Sequence, residues 1–241
     1  MTELLYLPDA DDVTEFTATV TEATSEYVVL DGTYFYPEGG GQPADRGQLS
    51  WDGGDASVVD VRKNHGDVRH YIGDREGSLP AEGETVTGSV DADHRDRLRR
   101  MHTAQHVVSR VVLDEFGAAT AGNQIHPDWS RIDFEPADFD ARDLAVIERE
   151  TNAVLDRDLP VSKTERPREQ VERETPEGRT QLELIPDGVD PLRVVAVEDF
   201  DLCPCGGTHV DRLGEVGHVT ITDRTSKGAD VDRVEFELVG D

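Results

Sequence analysis

Apolar residues alternate with polar ones through the first third of the chain. Phe16, Ala18 and Val20 recur at every second position, Tyr27, Val28, Val29 and Leu30 follow, and Asp31-Gly32 reads as a turn, the pattern of a β-hairpin. Residues 33–36 read as another strand, and short strands continue over 47–51, 56–62, 68–72 and 85–90, separated by turns rich in Gly and Asp. This spacing predicts a small barrel or sandwich over residues 1–90. Between the strands lies the run Gly39, Gly40, Gly41, Gln42. It has neither the Lys-Ser/Thr ending of a phosphate loop nor the GxGxxG spacing of a dinucleotide site.

The period then changes to that of helices. Leu98, Met101, Val108 and Val112 form one stripe with Ala104, Val107 and Val111 beside it, predicting a long helix over 94–116. Asp91 to Asp93 would cap it and Gly117 would stop it. Residues 122–127 read as a polar loop and 131–134 as a strand, with a second helix over 140–156. A strand from Pro160, a short helix over 168–174, a buried strand over 192–197 and strands over 216–222 and 231–238 complete the pattern. The expected class is α+β: a β-barrel-like domain over 1–90, then helices packed on an antiparallel sheet over 91–241.

Charge alters how partners are read. Fifty-two acidic residues against 24 basic ones give a net charge of −28, yet hydrophobic residues make up 36 % and are patterned, which excludes a disordered acidic chain. Lysine occurs only at Lys63, Lys163 and Lys227. An acid-rich, lysine-poor folded chain suits a cytoplasm with molar salt, where the Debye length falls to about 3 Å and self-repulsion is screened. In such a chain net charge does not exclude nucleic acid, and local clusters carry the information. Arg95, Arg97, Arg99 and Arg100 form one, read either as a solvated helix face or as a phosphate contact for RNA. With no basic-then-apolar start and no run of ~18 apolar residues, neither a signal peptide nor a membrane span is expected. The two cysteines, Cys203 and Cys205, are one residue apart, so a cytosolic metal thiolate is a better reading than a disulfide.

Two short motifs carry the chemistry. His102-Thr-Ala-Gln-His106 places two imidazoles one turn apart on a helix, and Cys205-Gly-Gly-Thr-His209 brackets a tight turn with a thiol and an imidazole. Together they make a ligand set suited to Zn²⁺. Its several imidazoles lean toward a catalytic rather than a structural ion. The first motif lacks the Glu that a metalloprotease places after its first His, which argues against a peptidase.

With the motifs in view, the chain resembles the free-standing relatives of the alanyl-tRNA synthetase editing domain. The resemblance rests on Thr33-Tyr-Phe-Tyr-Pro-Glu-Gly-Gly-Gly-Gln42 with Asp45-Arg-Gly47, on Arg100-Met-His-Thr-Ala-Gln-His106, and on Gly122-Asn-Gln-Ile125. Ser130-Arg-Ile-Asp-Phe134, Cys205-Gly-Gly-Thr-His-Val210 and Lys227-Gly228 continue it in family order. It implies the longer class of these proteins, which keep a Gly-rich β-domain before the editing domain. It further implies hydrolysis of the ester joining serine, and also glycine, to alanine tRNA. His102, His106, Cys205 and His209 would bind zinc, with Cys203 left outside. Thr120, with Asn123 and Gln124 nearby, would recognise the serine hydroxyl. Gly39, Gly40, Gly41 and Gln42 would shape the pocket or approach the tRNA end. The adenylate-forming domain is absent, so ATP use is not implied. The implied partner is the acceptor end of alanine tRNA, with no DNA or membrane partner, and the implied state is a cytoplasmic monomer. Zinc-dependent editing of a threonyl-type aminoacyl-tRNA, or a non-enzymatic RNA-binding module with structural zinc, are the alternatives.

Overall fold

The computed structural model describes residues 1–180, 182 and 185–239. It divides into two compact units, Met1–Asp96 and Arg97–Asp241. Among the described residues no helix is long and apolar enough to cross a membrane.

The first unit opens with β1 (Glu3–Leu4), β2 (Glu15–Ala23), β3 (Tyr27–Leu30) and β4 (Gly32–Thr33). It continues with β5 (Gly47–Trp51), β6 (Gly54–Asn64), β7 (Asp67–Gly77) and β8 (Thr85–Val90). Of the two architectures expected, it forms the barrel: β2-β3-β7-β6-β5-β8 close on themselves, with β1 and β4 paired apart in parallel. The alternating residues Phe16, Val20, Leu30, Leu49, Val58 and Val86 fill the interior. Gly88 is glycine because a Cβ there would meet the Phe16 ring at 2.4 Å.

Residues 33–36, expected as a strand, pair only through Thr33. The reason is local. The Phe35 N–H donates to Thr33 Oγ1 and the Tyr36 N–H to Asp45 Oδ2, so side chains take the donors a ladder would use. The Gly39–Gln42 segment closes as a tight turn, with two backbone hydrogen bonds of 3.0 and 3.1 Å between its ends. Gly40 and Gly41 sit at φ +58° and +84°, a pair of left-handed positions that favours glycine.

The second unit holds most of α1 (Ala92–Phe116), then β9 (Ala119–Ile125), β10 (Trp129–Glu135), α2 (Ala141–Leu155), β11 (Val161–Arg166) and α3 (Arg168–Glu174). The strands β12 (Leu192–Val197), β13 (Asp201–Pro204), β14 (His218–Gly228) and β15 (Val231–Val239) follow. One antiparallel sheet runs β14-β15-β10-β9 and a smaller one runs β11-β12-β13. Asp140 caps α2 by accepting from the backbone of Arg142 and Asp143. Residues 122–127, expected as a loop, are instead mostly β9. Thr120, Asn123 and Gln124 are interspersed with Ala and Gly, so no apolar alternation marks the strand, but its backbone is laddered to β10. Leu98, Met101, Val108, Ile132, Phe134, Ile147 and Phe236 belong to one buried core. Every residue of α1 from Met101 to Ser109 is buried, so its polar side chains there must be answered from within the protein.

Candidate metal centre

Helix α1 sets His102 and His106 one turn apart, ring centroids 5.1 Å from each other. The segment after β13 supplies the other pair. The Cys205 N–H donates to the Arg193 carbonyl, and the Gly207 N–H reaches back to Cys205 Sγ at 3.4 Å, which curls the Gly-Gly turn around the sulfur. This turn brings the His209 ring to 4.3 Å from His102 and 4.6 Å from His106. Cys205 Sγ lies 3.6 Å from His102 Nε2 and 3.3 Å from His209 Nε2. One ligand atom from each of the four residues lies within 4.8 Å of all the others, so the set can hold a metal ion. Tetrahedral bonds of about 2.0–2.3 Å imply edges of roughly 3.3–3.7 Å, so the two sulfur–nitrogen edges fit an ion of zinc's size.

The ring chemistry is prepared for that role. Thr103 Oγ1 donates to the Arg99 carbonyl at 2.8 Å, which leaves its lone pairs to accept from the Val210 N–H and from His209 Nδ1, each at 3.2 Å. His209 is therefore protonated on Nδ1 and presents the Nε2 lone pair toward Cys205, an outer hydrogen bond that orients a metal-ligating histidine. Burial pushes His102, His106 and His209 well below the usual histidine range, and the nearby Arg193 cation adds to it for each. All three are neutral at pH 7, as ligation requires.

Cations that sequence reasoning did not place at the metal ligands lie around them, Arg99 having been read only as a solvated face or a phosphate contact. Arg193 Nη1 donates to the carbonyls of Cys205 and Gly207 at 2.6 and 2.9 Å, fixing the turn. Arg99 Nε donates to the His209 carbonyl at 2.8 Å and Lys163 Nζ to the same oxygen at 3.3 Å, with Asp211 pairing both cations. Arg179 forms a buried two-pronged pair with Asp201 and reaches the His106 carbonyl at 3.4 Å. Two of these carried a readable signal: Lys163 falls on the inward side of alternating β11, and Arg193 interrupts an apolar run. Cys203 is not among the four converging groups. Burial pushes its thiol up to about 12, so it stays protonated, unlike a ligand.

The remaining candidates divide. A bulge at Ala121 places Thr120 opposite Phe134 and Asn123 opposite Ile132, on the buried face of the sheet, while Gln124 pairs with Arg131 on the other face. Arg131 Nη2 donates to Gln124 Oε1 at 2.8 Å, so Gln124 is turned away from Thr120. Thr120 borders a cavity of about 450 Å³ with Thr175, Gly178, Thr180 and Leu182. The four arginines do not form one exposed cationic patch. Arg95 is 1 % and Arg99 8 % exposed, both with their guanidinium groups engaged inside the protein, and Arg100 donates to the Val216 carbonyl. Arg97 alone of the four has an exposed residue surface, and it pairs with Asp128.

Two family models define the class. Residues 7–94 match the tRNA synthetases class II (A) family, and residues 192–235 match the threonyl and alanyl tRNA synthetase second additional domain. Whole-length relatives narrow it. The chain is 39 % identical to the alanyl-tRNA editing protein AlaX-M of Methanosarcina barkeri over 99 % of this chain and 100 % of that protein. It is 38 % identical to its counterpart in Methanosarcina acetivorans, with the same coverage. The alanine–tRNA ligase of Halorubrum lacusprofundi is 39 % identical over 99 % of this chain, which spans 26 % of that enzyme. The chain belongs to the alanyl-tRNA editing protein family.

Proposed function

We propose that this protein is a zinc-dependent hydrolase that removes wrongly attached serine, and secondarily glycine, from alanine tRNA. The observation that carries the reading is the convergence of three neutral imidazoles and one cysteine sulfur, on the motifs shared with editing proteins, in a buried site. His102, His106, Cys205 and His209 would hold the ion. Zinc bound there supplies a Lewis acid that polarises an ester carbonyl and activates water. Thr103 and Arg193 keep the ligands in place, and Thr120 offers a hydroxyl to the serine side chain. A site built around such a hydroxyl disfavours alanine, which would leave its polar groups unpaired. Residues 1–90 would form a β-domain and 91–241 the editing domain, and the Gly39–Gln42 turn would shape the pocket or approach the tRNA end. Arg97 is the member of the arginine cluster suited to a phosphate. The acid-rich composition fits work in a salt-rich cytoplasm, where shape and base contacts outweigh phosphate attraction.

Deacylation of seryl-, glycyl- and alanyl-esters of alanine tRNA in molar KCl tests this. Rapid release of serine with alanine spared is the expected result. Release from none of the three contradicts it, and release of alanine at the rate of serine contradicts the assigned specificity.

A further inference from the structure

The buried centre of α1 carries one polar stripe. His102, Gln105, His106 and Ser109 follow at the three- and four-residue spacing of a single helix face. The first and third converge with Cys205 and His209. The other two form a chain of their own: Gln105 Nε2 donates to Ser109 Oγ at 2.9 Å, and Thr120 Oγ1 lies 3.0 Å from the same oxygen as its donor. Ser109 is 2 % and Gln105 5 % exposed, so the bond between them is shielded from bulk solvent.

From this geometry we infer that Ser109 is a positioning residue for substrate selection, acting through Thr120. The inference rests on the editing function proposed above. Ser109 Oγ has two lone pairs; one takes the Gln105 amide and the other takes the Thr120 proton. With its proton committed, Thr120 is left presenting lone pairs, an acceptor aimed at a substrate hydroxyl that donates. Serine supplies such a donor, whereas alanine and glycine supply none. The location suits the purpose. Ser109 lies three residues beyond His106, roughly 4.5 Å along the helix axis. A side-chain hydroxyl held at Thr120 is thereby tied to the helix face that carries the two histidines. Thr120 also borders the cavity of about 450 Å³.

The test compares seryl- and glycyl-esters of alanine tRNA, because a merely structural defect lowers both together. The first comparison is wild type alone: if it deacylates neither ester, the parent function fails before any variant is made. Given wild-type activity, Ser109→Ala is expected to lower kcat/KM for the seryl ester roughly 5- to 10-fold while changing the glycyl ester less than about 2-fold. Ser109→Cys keeps the side-chain shape with a somewhat larger, weaker acceptor and is expected to fall between. In a Thr120→Ala background, Ser109→Ala should have no further effect on the seryl-to-glycyl ratio. Zinc content should be unchanged throughout. An unchanged ratio in both Ser109 variants, or additive effects with Thr120→Ala, overturns the inference.

Discussion

Both units bury histidine, and they do opposite things with it. In the barrel, His70 is fully enclosed. Its Nδ1 meets the Val28 carbonyl at 3.0 Å and its Nε2 meets Thr33 Oγ1 at 2.8 Å, so each ring nitrogen has a protein partner of complementary type. In the second unit, three equally buried rings crowd to centroid distances of 4.3–5.1 Å around one thiol, with donor atoms aimed at each other's neighbourhood. Such crowding costs free energy unless something binds the converging lone pairs. The arginines repeat the contrast. Arg95 is closed off on Asp45 in the first unit, whereas Arg99 and Arg193 spend their donors on the carbonyls that shape the ligand turn. A satisfied buried group is architecture; converging buried groups mark a site.

Breaking either side of this contrast should fail in different ways. The largest effect belongs to the ligands. Cys205→Ala should abolish metal retention and lower deacylation by more than the roughly 10- to 100-fold typical of an outer hydrogen-bond partner, while the far-UV signature of the barrel stays intact. Next comes Arg95→Ala, which strands Asp45 in the interior. It should cost about 3–5 kcal/mol in denaturant unfolding without a selective effect on zinc affinity.

His70 gives a pH dependence of similar size. Burial pushes it down to about 4 from the usual 6.5. Because the folded pKa lies below the unfolded one, the unfolded chain binds the proton more readily. The contribution of neutral His70 is complete above about pH 6.5 and is lost as pH falls from there toward 4, by about 3 kcal/mol in all. In zinc-loaded protein, His70→Gln should flatten that part of the stability–pH curve by denaturant unfolding; an unchanged slope counts against it.

Thr103→Ala removes the acceptor of His209 Nδ1 and should weaken zinc about 10- to 100-fold in a chelator competition, with a smaller effect on folding. The smallest effect is at Arg97. Arg97→Gln should change tRNA affinity by less than about 3-fold in molar salt and more as salt is lowered.

Legibility in the sequence followed the physics of each region. Strands 47–51 and 85–90, the helix over 168–174 and the strand over 192–197 coincide with β5, β8, α3 and β12, since apolar periodicity marks elements that bury one face. β9 left no such trace, because its residues before Ile125 are small or polar and its order comes from backbone pairing. The four converging residues were legible through spacing alone. What surrounds them was legible only in part: Lys163 and Arg193 break the apolar pattern of their strands, whereas nothing in the sequence marks Arg179, which the segment before β12 buries against Asp201. The arginine cluster misled for the same reason. Consecutive charges on a helix look alike in a sequence, but successive residues face different directions, and two of these four face the interior.

If the converging residues form the zinc site at which serine is removed, zinc content and serine release must rise and fall together. The direct measurement is bound zinc per chain and seryl-ester deacylation in the same samples, for wild type, for chelated protein, and for chelated protein with zinc restored. Close to one zinc per chain is expected, with activity that falls and returns in proportion to it. Full-rate release of serine from zinc-free protein would contradict it.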